Sequence, residues 1–201
     1  IQIVFKDEVT KGFKDYKVIE DEKSALVEED KNLIDALAEA GVDTNNDGQI
    51  SKEELKNAKG KTKELPSGNN KYKIYSNVLD LENKKIKNVS MLRDLGPNID
   101  AIVLASNQIA ELPHDVFANA TNIRAIFLDG NRIEKIDKDA FSNLSKLEHI
   151  QMDGNKFTEL PDDLFRNNPK LQLISIANTN LSRLGSNFIR NQRNLQNLYI
   201  Y

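Results

Sequence analysis

Residues 99–122 read IDAIVLASNQIAELPHDVFANATN, 123–146 read IRAIFLDGNRIEKIDKDAFSNLSK, 147–170 read LEHIQMDGNKFTELPDDLFRNNPK and 171–194 read LQLISIANTNLSRLGSNFIRNQRN. Laid under one another, these 24-residue units keep their apolar residues in register. Ile99, Ile123, Leu147 and Leu171 open the units, and Leu195 begins a fifth. Ile102, Ile126, Ile150 and Ile174 form the next column, followed by Leu104, Leu128, Met152 and Ile176. Two further columns hold Ile109, Ile133, Phe157 and Leu181, then Leu112, Ile136, Leu160 and Leu184.

The columns spell L-x-x-L-x-L-x-x-N-x-L with a second half attached, and a fixed period in the twenties marks a leucine-rich repeat solenoid. Each unit is a short strand and a return loop that cannot bury its own apolar edge, so stability has to come from stacking. The predicted fold class is α/β: a leucine-rich repeat solenoid with a curved parallel sheet on its concave face. Asn107, Asn131 and Asn155 form a column suited to a buried turn, because a side-chain amide can pair with backbone groups left over at a tight bend. At the fourth unit this position is Thr179. Phe117, Phe141 and Phe165 form a core column that passes to Ile189 beside Phe188.

Upstream, Val78, Leu79 and Leu81, then Ile86, Val89, Leu92 and Leu95, make an earlier repeat 23 residues before the first full unit. Residues 71–201 are therefore read as the repeat domain, cut at its C-terminal end because the chain stops at Tyr201 within a strand. Residues 60–71, rich in Gly, Lys, Ser and Asn, read as a linker, and residues 1–29 stay unassigned although Ile1, Ile3 and Phe5 alternate as in a strand.

Residues 30–70 read as a helical cap. After Asp30 as N-cap, Leu33, Ile34, Leu37 and Ala38 recur at helical spacing up to Gly41. Asp43, Asn45, Asp47, Gly48 and Glu54 then match D-x-[DN]-x-[DN]-G-x5-E, the calcium loop of an EF-hand. Calcium takes six to eight oxygens, which this spacing offers from Asp43, Asn45, Asp47, the Gln49 carbonyl, a water near Ser51 and a bidentate Glu54. Lys52 to Lys59 reads as the exiting helix. The metal-free reading is a capping box between Ser51 and Glu54. A single loop favours a structural calcium clip over a sensor.

Composition narrows the function. The chain has 201 residues, no cysteine and a formal net charge of -3. Disulfides and thiolate chemistry are excluded, no apolar run approaches the roughly 20 residues of a membrane span, and the absence of a basic face argues against nucleic acid.

The helix-loop-helix directly before VLDLENKKIKNVS (78–90) resembles the N-terminal cap of internalin-like bacterial surface leucine-rich repeat proteins. The resemblance implies a secreted or cell-surface bacterial protein whose concave face binds another protein. Side chains alternate along a strand, so Asp80, Val103, Phe127, Gln151, Ser175 and Tyr199 form one expected concave column, and Glu82, Ala105, Asp129, Asp153, Ala177 and Tyr201 another. Asp100, Arg124 and Glu148 flank them, as do Ala101, Ala125 and His149. The expected partner contacts are Phe127, Asp129, His149, Gln151, Asp153 and Tyr199. His149, Ser175 and Asp153 share the face, but without an oxyanion site they make a hydrolase the remote alternative. A calcium-responsive switch is the nearer one. Asn88, Asn119, Asn143 and Asn180 head N-x-[ST] triplets that an Asn-rich chain makes by chance.

Overall fold

In the computed structural model, residues 4–5, 13–15 and 31–201 are described. Strands β1 (Val4–Phe5) and β2 (Phe13–Asp15) pair antiparallel. The remainder of the unassigned segment, and Asp30 as N-cap, lie outside the described residues.

Helix α1 (Lys31–Glu39) buries Leu33, Ile34, Ala36 and Leu37 and ends before Gly41, as its spacing predicts. The exiting helix α2 (Lys52–Asn57) is shorter than expected; it buries Leu55. Both helices pack against the first repeat, since Leu33, Leu37 and Leu55 share one core cluster with Leu79, Leu92 and Leu95. Gly96 marks how close α2 comes: its amide donates to the Leu55 carbonyl at 3.0 Å, and a Cβ there would lie 1.9 Å from the Lys56 carbonyl oxygen.

The array is a parallel ladder of β4 (Tyr72–Asp80), β5 (Ala101–Val103), β7 (Ala125–Phe127), β9 (His149–Gln151), β10 (Leu173–Ser175) and β11 (Asn197–Tyr199). Its register repeats the sequence period, with Ala101 opposite Ala125, Ala125 opposite His149, His149 opposite Leu173 and Leu173 opposite Asn197. Val78 stands opposite Ala101, the 23-residue step of the earlier repeat. In the return loops, β6 (Glu111–Leu112) pairs with β8 (Lys135–Ile136). A 3-10 turn over Ser90–Asp94 closes the first repeat.

Between the sheet and the return loops lies the main core, which holds the five apolar columns. The phenyl rings of Phe117, Phe141 and Phe165 stack at 6.3 and 5.8 Å. In the last unit Phe188, not the in-register Ile189, completes the column: it meets Phe165 edge-on at 5.3 Å, while Ile189 is 45 % exposed. The strand register is kept at β11, so this one-residue slip is confined to the return loop.

Residues 60–71 are not a linker. Strand β3 (Lys61–Pro66) pairs antiparallel with β4, from Lys61 opposite Val78 to Pro66 opposite Tyr72, and is the edge of the seven-stranded sheet. Low apolar content hid this strand, because an edge tolerates lysine and proline where an interior strand would not. Among the described residues, no helix is long and apolar enough to cross a membrane.

Candidate functional site

The hairpin β3–β4 reaches far along the array. Its turn places Gly68 against the Leu173 side chain, and Asn69 bonds Asn197 at 2.9 Å and accepts from the Tyr199 hydroxyl at 2.8 Å. Leu65 and Tyr75 on its inner side form a second apolar cluster with Val78, Ala101, Val103, Ala105, Ala125 and Phe127. The strand face expected to be open is therefore partly roofed by the chain itself.

Charges of the flanking column hold the roof down. Asp100 accepts from the amides of Ser76 and Asn77, both at 3.0 Å. Glu148 accepts from Lys73 at 2.6 Å and from two guanidinium nitrogens of Arg124 at 3.2 Å. Lys73 and Arg124 each lie 5.7 Å from the centre of the Tyr75 ring. Burial, and then the charge of Glu148, push the Tyr75 hydroxyl up to about 12. Burial acts to raise the Glu148 carboxyl, but the bonds from Lys73 and Arg124 outweigh it and leave the group below its ordinary range. The alternation Asp100, Arg124, Glu148 at 24-residue spacing was legible as a charged stripe; that it clamps the hairpin was not.

Two of the six expected partner contacts are buried. Phe127 is 5 % and His149 4 % exposed, with ring centroids 4.9 Å apart. Burial lowers the His149 imidazole to about 4, and its Nε2 lies 3.4 Å from Gln151 Oε1. The hairpin accounts for the difference, since period-two alternation puts a residue on a face without saying whether that face is covered. Asp129, Gln151, Asp153 and Tyr199 remain half-exposed. Asp129 and Asp153 are neighbours as expected, the Asp153 amide donating to Asp129 Oδ1 at 3.3 Å. Burial, reinforced by the Asp153 charge, pushes the Asp129 carboxyl up to about 7. Asp153 in turn accepts from the Ser175 hydroxyl at 2.6 Å and the Ala177 amide at 2.8 Å. Ser175 thus donates to Asp153 while His149 faces Gln151, so these three side chains do not form a nucleophile and base chain.

The loop 43–54 closes on its own hydrogen bonds. Asp43 accepts from the amides of Asp47 and Gly48 at 3.2 and 3.0 Å, and Asp47 accepts from that of Gln49 at 2.8 Å. Glu54 accepts from the Ser51 amide and hydroxyl, each at 2.9 Å, and from the Thr44 amide at 2.9 Å. With the Ser51 hydroxyl accepting from the Glu54 amide, the capping box is complete. Donation by the Ser51 amide, then by its hydroxyl, holds the Glu54 carboxyl down at about 2. Among the described residues, no three acidic or imidazole side chains converge on a point as a metal site does. The donors fit calcium in kind, being oxygens only, and Gly48 at φ 77 makes the sharp turn that the sixth loop position needs. Holding the ion requires Glu54 to exchange its bonds to Thr44 and Ser51 for metal coordination.

Another polar column was missed. Asn119, Asn143, Asn167 and Asn191 donate their side-chain amides to the carbonyls of Arg93, Ala118, Ser142 and Arg166, at 2.8 to 3.4 Å. These bonds tie each return loop to the preceding one, which gives Asn119 and Asn143 a structural role. Their 24-residue spacing was the signal.

Residues 97–157 match the family model described as leucine rich repeat. The functional domain of InlJ from Listeria monocytogenes is similar at 21 % identity over 80 % of this chain and 30 % of that one, with a TM-score of 0.56. Internalin C2 from Listeria monocytogenes is similar at 24 % identity, covering 61 % of this chain and 50 % of its own, with a TM-score of 0.51. Toll from the Drosophila Toll–Spätzle complex is similar at 18 % identity over 56 % of this chain and 18 % of that one, also at 0.51. These likenesses show the leucine-rich repeat fold. The chain spans no more than half the length of these solved proteins.

Proposed function

We propose that this chain is a non-enzymatic protein-binding module that uses the part of its strand face left open by the hairpin. The observation that carries the reading is the half-exposed row of Asp129, Gln151, Asp153 and Tyr199 beside a covered apolar floor. Two adjacent carboxylates on neighbouring strands favour a basic group from a partner, since like charges side by side are unfavourable until matched. That the Toll structure is a complex with Spätzle supports protein binding by this fold. The likeness to two Listeria internalins supports a secreted or surface location on a bacterium. Substituting Gln151→Arg adds bulk and positive charge at a half-exposed site. Capture of cell-surface proteins on the immobilised variant is expected to fall at least tenfold with the melting temperature unchanged. Equal capture by both forms removes the strand face as the contact surface.

A structural calcium ion in loop 43–54 is the second element of this reading, held by Asp43, Asn45, Asp47, the Gln49 carbonyl and Glu54. The seating of α2 against Gly96 favours a clip over a calcium-responsive switch, because the helix has little room to swing. Calorimetric titration of calcium into chelator-treated protein is expected to give saturable binding and a raised melting temperature, as any ligand that prefers the folded state does. Glu54→Gln should abolish both. Absence of heat and shift at millimolar calcium would leave the loop as a metal-free cap turn.

A further inference from the structure

β4 joins the parallel ladder at Val78, opposite Ala101. At that point the hairpin carries a bulge: Lys61 stands opposite Val78 but Lys63 opposite Tyr75, so Thr62 faces both Ser76 and Asn77. A bulge bends a strand pair, and beyond this one the hairpin crosses the array until Gly68 meets Leu173. Asp100 fastens the bend through the amides of Ser76 and Asn77. Past the bend, among the described residues, residues 64–75 reach the rest of the chain by hydrogen bonds of two side chains, Lys73 to Glu148 and Asn69 with Asn197 and Tyr199. Their apolar contact is equally separate. Leu65 and Tyr75 pack on Ala101, Val103, Ala125 and Phe127 in a cluster that shares no residue with the main core. We propose that residues 64–75 are a strap that lifts about the bulge while the repeat array stays folded, and so gates the apolar half of the strand face.

Few buried apolar contacts and partly exposed polar attachments are the marks of a segment that opens before the whole fold does. The strap has both, whereas the array keeps its own core on the other side of the sheet. Its latch also responds to acid. Glu148 holds Lys73 at 2.6 Å, and the next residue, His149, is buried on the covered face. Around Glu148 stand Lys73, Arg124 and Tyr75, with Asp100 beside Tyr75; Gln151, Asp153 and Lys73 face His149. Burial holds His149 neutral down to about 4, against about 6.5 for an imidazole in water. Between these values the closed form binds fewer protons than the open one, so closing weakens as the pH falls from roughly 6.5 to 4. A charged His149 also opposes Lys73. Glu148, held below its ordinary range, gives up Lys73 in the same direction at lower pH.

The inference rests on the reading of the strand face as a contact surface but is measured without any partner, so it can fail while the Gln151→Arg result stands. The chain contains no cysteine, so Ala125→Cys provides a unique thiol under the strap and Ala120→Cys one in the main core, both at fully buried alanines. Ala101→Cys is a second probe of the covered floor. Each folded variant is treated with dithiodipyridine and the rate of thiol modification is followed. The floor thiols are expected to react at least tenfold faster than the core thiol. That ratio should rise at least threefold when Lys73→Ala removes the latch, and should rise again as the pH is lowered through the range in which His149 titrates. Equal rates for floor and core thiols, with the same dependence on urea, mean that the hairpin opens only with the whole fold and overturn the proposal. So does a fast floor thiol whose rate Lys73→Ala leaves unchanged, which indicates a fixed opening in place of a moving strap. A ratio that does not change with pH overturns the acid response of the latch.

Discussion

Substituting Phe127→Ala should lower the melting temperature markedly, although the alternation of the strand places this side chain on the face expected to meet a partner. The ring is 5 % exposed and packs with Val103, Ala125, Tyr75 and Leu65, next to the His149 ring. Truncating a buried Phe to Ala removes transfer free energy and leaves a cavity, together worth about 3 to 5 kcal/mol. A chain of this size loses roughly 2 to 4 °C per kcal/mol. Phe127→Leu, which keeps most of the volume, should recover much of the loss. Thermal melts followed by circular dichroism measure both variants. An unchanged melting temperature for the alanine variant would mean that the hairpin does not cover the strand face in solution.

Removing one rung of the buried asparagine ladder should be nearly as damaging. Asn131 accepts from the Ile109 amide at 3.0 Å and donates to the carbonyls of Leu104 and Leu128 at 2.9 and 3.0 Å. Asn107 and Asn155 repeat this pattern one unit either way. An alanine at 131 leaves backbone groups of two repeats buried without partners, and each such group costs about 1 to 3 kcal/mol. A total near 3 kcal/mol is expected, because neighbouring losses are not additive. Asn131→Asp should be comparably harmful, since a carboxylate accepts but cannot donate to two carbonyls. Urea unfolding would test this, with wild-type stability in the aspartate variant refuting the donor role. The fourth unit already does with less: Thr179 donates to the Ile176 carbonyl at 3.1 Å and accepts from the Leu181 amide at 3.4 Å.

The calcium loop shows a different kind of legibility. The spacing of Asp43, Asn45, Asp47, Gly48 and Glu54 serves both a metal and a network of turns and caps, because the same carboxylates accept from amides or coordinate an ion. Both readings were open from the residues alone. The capping box between Ser51 and Glu54 is formed.

The 24-residue period by itself determined the solenoid, the register of its parallel strands, the five apolar columns and the Asn107, Asn131 and Asn155 ladder. A residue and its equivalent one unit later occupy the same environment, so periodicity in one dimension translates directly into stacking in three. Only the tertiary structure decided the fate of the strand face. Lys73 meets Glu148 across 75 positions and Asn69 meets Asn197 across 128. Neither contact belongs to the period, so no column announces it. The hairpin buries Phe127 and His149, leaves Asp129, Gln151 and Asp153 half-open, and makes β3 an edge, because non-periodic contacts form only where the folded array brings distant side chains together.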